Sequence, residues 1–252
     1  MSLTPTVARA IELLRQAKTV VALTGAGIST PSGIPDYRSP DSGLWEQGDM
    51  MEMASIYAFR HKPEAFYKWI RPLATKIFNA QPNPAHKALA SLEANGRLQA
   101  IITQNIDMLH TRAGSQTVYE VHGSLRRATC LTCHTEVDGP PLLKAHAETG
   151  QLPHCPTCAH ILKPNVILFG ELLPMLTMHL AQQAAKQCDV MLVAGSSLEV
   201  APAGDLPLLA KRAGARLIIV NFGPTHVDRE ADLLFREDVA ELLPQLAAPF
   251  RK

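Results

Sequence analysis

Apolar residues fall along the chain in two alternating rhythms. Val7, Ile11 and Leu14 recur at helical spacing, so the first segment is read as an amphipathic helix. Behind it comes a short apolar run, Thr19 to Thr24, too short for a helix and rich in valine. Four more runs of this kind follow, Ala100 to Thr103, Val166 to Phe169, Val190 to Ala194 and Leu217 to Val220, each expected to be a buried parallel strand. Helical patterns separate several of them. Asn83 is placed to cap a helix with Pro84 in its first turn, Ala85, Leu89 and Leu92 share one face, and Gly96 follows its end. Leu206 to Ala213, closed by Gly214, and Glu237 to Leu246 read the same way. Strands alternating with helices predict a doubly wound, Rossmann-like parallel α/β sheet.

Two regions break the alternation. Asp36 to Pro82 is rich in methionine and aromatic residues and reads as loop plus helices, while Leu125 to Lys163 has almost no periodicity and carries four cysteines. The expected division is therefore a Rossmann-like domain from residues 1–36, 83–124 and 164–252, a helical and cofactor-loop insertion at 37–82, and a zinc-binding module at 125–163. Neither internal repeats nor low-complexity tracts are present.

Polar residues then mark one edge of the predicted sheet. Gly25 to Ser29, Gln104 to Asp107, Ser196 with Ser197, and Asn221 each follow directly on a predicted strand. Ligands of open parallel sheets bind outside the carboxyl ends of the strands, so four such segments argue for a binding crevice. Ordinary turn formation by Asn and Ser is the alternative. Gly25-Ala26-Gly27 after a strand allows the backbone to approach a pyrophosphate. A dehydrogenase fingerprint also needs a third glycine soon afterwards, a clean helix, and an acid about 20 residues on. Pro31, Gly33, Pro35, Pro40 and Gly43 occupy that space instead, which reads as an ordered loop over the ligand.

Composition narrows the class without choosing the chemistry. The 252 residues are 46% hydrophobic and 19% charged, with a formal net charge of +1, as in ordinary globular proteins. Such a balance gives no electrostatic case for nucleic acid or an anionic membrane. No run approaches the ~18 apolar residues of a membrane helix, and residues 1–18 lack the features of a signal peptide, so the protein is expected to be cytoplasmic.

Four of the five cysteines form Cys130-x2-Cys133 and Cys155-x2-Cys158, with 21 residues between the pairs. Two such knuckles suit a structural tetrathiolate zinc site, with disulfides or an iron–sulfur cluster as the competing uses. His134, His154 and His160 flank them and are expected at the surface; Cys188 is expected to be a small buried hydrophobe. Fifteen residues beyond Asp107 stands His122, the side-chain type best suited to move a proton near neutrality.

Together these blocks, with Gly33-Ile34-Pro35-Asp36-Tyr37-Arg38, Lys163-Pro164-Asn165-Val166, Phe169-Gly170-Glu171 and Gly195-Ser196-Ser197-Leu198-Glu199-Val200, resemble the sirtuins in type and order from about Lys18 to Leu246. The resemblance implies an NAD-dependent protein lysine deacylase with one structural zinc ion, releasing nicotinamide and O-acyl-ADP-ribose. It implies that Gly25, Ala26, Gly27, Ser196, Ser197 and Asn221 hold the phosphates and adenosine of NAD, with Val239 against the adenine, and that Ser29, Gly195 and Phe222 also bind the cofactor. Asp36, Tyr37 and Arg38 would close over the nicotinamide ribose. Gln104, Asn105, Ile106 and Asp107 would surround the ribose and nicotinamide amide, with Asn105 and His122 catalytic and His122 the general base. Val166, Phe169, Gly170, Glu171, Glu199 and Val200 would flank an acyl-lysine peptide bound as an added strand.

Tyr37 and Ser196 stand where the family more often has phenylalanine and threonine. Sirtuins that prefer acidic acyl groups carry Tyr-x-x-Arg where this chain has Tyr67-Lys68-Trp69-Ile70. Arg71 comes one residue later, about 100° round a helix, so a neutral acyl group such as acetyl is expected. Mono-ADP-ribosyl transfer on the same site and a non-catalytic NAD-sensing zinc module are the rival readings; the oligomeric state is left open.

Overall fold

The computed structural model describes residues 4–36 and 53–251. Its larger sheet has six strands: β1 (Val20–Thr24), β2 (Ala100–Thr103), β3 (Val118–Glu120), β7 (Val190–Ala194), β8 (Arg216–Val220) and β9 (Leu233–Phe235). They lie in the order β3-β2-β1-β7-β8-β9 and every pairing is parallel. The chain thus winds outward from β1 to one side, then returns and winds outward to the other. The change of direction falls between β1 and β7, the place where doubly wound sheets open a crevice.

Uninterrupted apolar strands follow from burial on both faces. Val20 and Ala22 of β1 point into a core built with α1 (Pro5–Gln16), α4 (Pro84–Ala94) and α9 (Val239–Ala247). Val21 and Leu23, one residue out of phase, point into the opposite core with α7 (Met175–Gln187) and α8 (Leu206–Arg212). Local signals start the helices where expected. The Thr4 hydroxyl accepts from the Val7 amide at 3.3 Å with Pro5 following, Asn83 Oδ1 accepts from the Ala85 amide at 2.9 Å, and Asp238 accepts from Ala240 at 2.7 Å.

A second sheet of three antiparallel strands has β4 (Gly123–Cys130) between β5 (Glu136–Asp138) and β6 (Leu162–Val166). Its helix α6 (Gly139–Thr149) packs on β4 and on α3 (Pro63–Asn79), which follows the short α2 (Ile56–His61). Phe66, Tyr67, Ile70, Leu73 and Ile77 of α3 repeat at helical spacing and form a third core with Leu125, Leu143, Val166 and Leu168. The short helix α5 (Leu109–Arg112) follows β2.

One predicted strand is corrected. Val166 is the last residue of β6, which belongs to the small antiparallel sheet, and Ile167 to Phe169 lie outside any strand of the parallel one. An apolar run signals burial, and the α3 core buries Val166 and Leu168 as effectively as a parallel sheet would. The edge strands β3 and β9 have three residues each, too short to register as periodic patterns.

Candidate active site

The carboxyl ends of β1, β2, β7 and β8 open into a cleft of about 1080 Å³. Gly25, Ala26 and Gly27 enter it from β1, Gln104, Asn105 and Ile106 from β2, Gly195, Ser196 and Ser197 from β7, and Asn221 and Phe222 from β8. Asp36, His122, Glu199, Val200 and Val239 also line it. Ser29 and Asp107 instead line a small adjoining cavity with Ala26, Ile34, Leu73, Ile77 and Ile106. Tyr37 and Arg38 lie outside the described residues.

Glycine is required at the floor because two loops touch there. The Gly27 amide donates to the Gly195 carbonyl at 2.8 Å. A Cβ on Gly27 would stand 2.9 Å from that carbonyl oxygen, and one on Gly25 would stand 2.9 Å from Ser196 Cβ. Gly195 has φ +62°, and a side chain there would meet the Ile28 nitrogen at 2.2 Å. After β1 the chain makes two tight turns of 3-10 helix, Ala26–Ile28 and Thr30–Ser32, in keeping with a loop over the ligand. Bare backbone in a strand-end cleft, with α9 starting at its rim, fits the close approach of a dinucleotide's phosphates.

Behind this floor lies a buried polar network. Asn105 donates from Nδ2 to the Gly25 carbonyl at 3.0 Å and to Ser29 Oγ at 3.1 Å. The Ser29 hydroxyl donates in turn to Asp107 Oδ2 at 2.7 Å, and the Leu109 amide donates to Asp107 Oδ1 at 2.9 Å. Burial pushes the Asp107 carboxyl above its ordinary range, opposed by these two donors. With both amide protons used, Asn105 is left with its Oδ1 to accept from a ligand.

His122 stands between β3 and β4. Its Nδ1 is 3.1 Å from the Gln104 carbonyl, which only accepts, so Nδ1 carries the proton and Nε2 the lone pair. Nε2 is buried and has no hydrogen-bond partner among the described residues. Burial lowers the imidazole pKa, with the Gln104 bond pulling the other way, so the ring is neutral at pH 7. The result is an oriented base beside the cleft.

Across the cleft, Val166 to Glu171 form one wall. The Phe169 amide donates to the Ala54 carbonyl at 2.9 Å, and the Ile56 amide donates to the Phe169 carbonyl at 3.0 Å. Phe169, Val200 and Phe222 are all exposed apolar side chains at this opening. Phe66, Trp69, Ile70 and Leu73 of α3 also line the cleft, and helical spacing was the only signal for them in the sequence. The Tyr67 hydroxyl is fully buried and donates to the Leu162 carbonyl at 2.6 Å. Arg71 donates to the Ala147 and Glu148 carbonyls at the end of α6, at 3.1 and 3.0 Å. Neither polar group is therefore turned to the cleft where Ile70 lies.

Sequence reasoning missed a histidine pair beneath the site. His86 and His110 are buried with ring centroids 4.9 Å apart. His110 Nε2 is 2.9 Å from the Thr24 hydroxyl, which donates to Thr103 Oγ1 at 2.9 Å, and His86 Nε2 is 3.5 Å from Ser29 Oγ. Burial lowers the His86 pKa to about 4 and drives that of His110 well down, helped by His86. No spacing in the sequence links these residues; the packing of α4 against α5 does.

The four cysteine sulfurs all lie within 4.8 Å of one another. Both knuckles make the same turn. His134 donates its amide to the Cys130 carbonyl and Cys130 to that of Thr135; Ala159 donates to Cys155 and Cys155 to His160. His134 and Ala159 take matching left-handed φ values of +60° and +62°. Such convergence fits a tetrahedral thiolate zinc site with no open position. His134, His154 and His160 are exposed, and Cys188 is buried away from the cluster.

The profile described as the Sir2 family matches residues 25–202. This chain belongs to the Sir2 family. The Sir2 chain is 45% identical over 245 residues to NAD-dependent protein deacylase 2 of Archaeoglobus fulgidus, covering 97% of this chain and 96% of the relative. Its fold superposes on a Sir2 structure with deacetylated p53 peptide and 3'-O-acetyl ADP-ribose at a TM-score of 0.89, with 38% identity and 97% and 98% coverage. A Sir2 structure with p53 peptide and NAD+ gives 0.85, with 39% identity and 96% and 97% coverage. No helix among the described residues of this Sir2 protein is long and apolar enough to cross a membrane.

Proposed function

We propose that this Sir2 protein is an NAD-dependent protein lysine deacylase acting on neutral acyl groups, acetyl foremost. The observation that carries this reading is His122, whose ring is fixed through Nδ1 while the Nε2 lone pair is buried at the cleft without a donor among the described residues. NAD+ is a co-substrate that supplies an electrophilic ribose carbon, to which the acyl oxygen bonds as nicotinamide leaves. His122 Nε2 then takes the proton of a ribose hydroxyl, freeing that oxygen to attack the acyl carbon. Water then adds to the acyl carbon and the lysine amine leaves as the C–N bond breaks, giving free lysine and O-acyl-ADP-ribose beside the nicotinamide already released.

In this reading Gly25, Ala26, Gly27, Gly195, Ser196 and Ser197 hold the phosphates, and Asn221, Phe222 and Val239 hold the adenosine. Ser29, Gln104, Asn105, Ile106 and Asp107, with Asp36, Tyr37 and Arg38, serve the ribose and nicotinamide end. The Asn105 Oδ1 and the Ser29–Asp107 pair put acceptors there, suited to ribose hydroxyls and an amide. Val166, Phe169, Gly170, Glu171, Glu199 and Val200 border the peptide. Cys130, Cys133, Cys155 and Cys158 hold zinc as a structural ion. Thiolate ligands suit a reducing compartment, and we place the protein in the cytoplasm.

The test is an acetyl-lysine peptide incubated with and without NAD+, with products followed by mass spectrometry. Nicotinamide and acetyl-ADP-ribose are expected in equal amounts, and His122→Ala should cut turnover by about 10²–10⁴-fold. Because burial lowers the His122 pKa, activity should hold as pH falls and drop only below its ordinary value of 6.5. NAD-independent deacetylation or full activity of His122→Ala would refute the mechanism, and ADP-ribosylation of an unacylated protein would favour transfer to a side chain.

A further inference from the structure

Lys163, the second residue of β6, is the lysine that lies within the buried interior among the described residues. Its ammonium has three protons and three acceptors around it: Glu171 Oε2 at 2.8 Å, the Val166 carbonyl at 2.8 Å and the Pro164 carbonyl at 3.2 Å. The same Glu171 oxygen accepts from the Leu168 amide at 2.8 Å. The Glu171 amide donates back to the Leu168 carbonyl at 3.0 Å, and Gly170 at φ +87° turns the chain between them. One buried cation therefore ties together both ends of the loop from Val166 to Glu171.

Geometry explains why a charge is used there. The β4–β6 ladder shifts register between Gly123 and Ala128, so the far end of β6 is not paired by a regular ladder. Buried carbonyls need donors, and the lysine supplies them. As a source of stability alone the pair is a poor choice, because desolvating two charges offsets most of their attraction. It does fix one loop shape. That shape has consequences at the cleft, since the Ile167 amide donates to the carbonyl of His122 at 2.8 Å and Phe169 is bonded to the backbone before α2.

We propose that Lys163 and Glu171 are a positioning pair for acyl-peptide engagement: the Glu171 carboxylate acts through the loop it clamps and does not read the peptide itself. This rests on the deacylase reading of the cleft. Neither residue belongs to the floor where the dinucleotide phosphates are placed, so loss of the clamp should separate the two substrates.

The experiment compares wild type, Lys163→Met, Glu171→Gln and the double variant. Both single variants should raise the peptide KM by about tenfold, the scale of a lost hydrogen bond to a charged group, while the NAD+ KM stays within about twofold. Zinc content should be unchanged, hydrogen exchange at the Leu168 and Phe169 amides should accelerate, and the double variant should be no worse than Lys163→Met. An unchanged peptide KM, or peptide and NAD+ KM values rising in step with a lowered Tm, would overturn the proposal. Glu171→Gln decides alone if Lys163→Met loses zinc and cooperative melting, because it leaves the buried lysine on its two carbonyls. Absence of NAD-dependent turnover in wild type would refute the deacylase reading instead, and unaltered exchange at Leu168 and Phe169 in both variants would overturn the clamp whatever the activity.

Discussion

Gly195→Ala is the sharpest probe of how the site floor is built. A left-handed backbone costs an alanine roughly 1–2 kcal/mol wherever it occurs. Here the new methyl would also stand 2.2 Å from the Ile28 nitrogen and 2.5 Å from the Gly27 carbonyl carbon, both backbone atoms that cannot rotate away. Relief requires the β1 and β7 loops to part by more than about 1 Å, with overpacking strain of about 1–3 kcal/mol. It also breaks the Gly27-to-Gly195 hydrogen bond of 2.8 Å, worth about 1 kcal/mol more. A total near 3–6 kcal/mol follows. Gly96→Ala is the control: its φ is +69°, close to the +62° of Gly195, yet nothing lies within 4 Å of its would-be Cβ. It should lose only the conformational part, about 1–2 kcal/mol. Urea denaturation of both variants in zinc-replete buffer, followed by circular dichroism, should place Gly195→Ala at least about 2 kcal/mol below Gly96→Ala, with a raised NAD+ KM. Equal destabilisation within about 1 kcal/mol would refute the reasoning.

Other outcomes follow from the buried groups. His86 has an ordinary pKa of 6.5 and a folded one of about 4, so the unfolded chain takes up a proton that the native state refuses, and stability falls as pH drops through this interval. Between pH 7 and 5 this one group removes about 2 kcal/mol, which His86→Gln should abolish in urea titrations; equal acid sensitivity of variant and wild type would contradict it. Arg71→Ala should lose about 1–2 kcal/mol, since it ends two bonds to the last carbonyls of α6. Its acetyl-over-succinyl preference should stay as in wild type, and a change there would show that Arg71 reaches the acyl group. Metal analysis should find about one zinc per chain, lost with the melting transition of the small sheet in Cys155→Ala/Cys158→Ala; freshly purified protein without zinc would argue against the site.

The sequence alone determined whatever depends on neighbours along the chain. Apolar periodicity located β1, β2, β7, β8 and the helices α1, α4, α8 and α9. Capping at Asn83 needed only the next two residues, and each zinc knuckle only its own Cys-x2-Cys. Strand ends marked the cleft, because side chains that follow a parallel strand emerge at one edge of the sheet. Tertiary structure decided what depends on residues brought together from afar. Val166 to Phe169 had the composition of a central strand, yet packing against α3 gave it another place. Arg71 follows Ile70, which lines the cleft, by one helical position, yet the end of α6 took its hydrogen bonds. His86 and His110 became a pair beneath Ser29 and Thr24 only when α4 packed against α5. Lys163 shows the limit most clearly: a lysine on a strand reads as solvated, and only the irregular end of β6, with carbonyls in need of donors, makes burial its stable position.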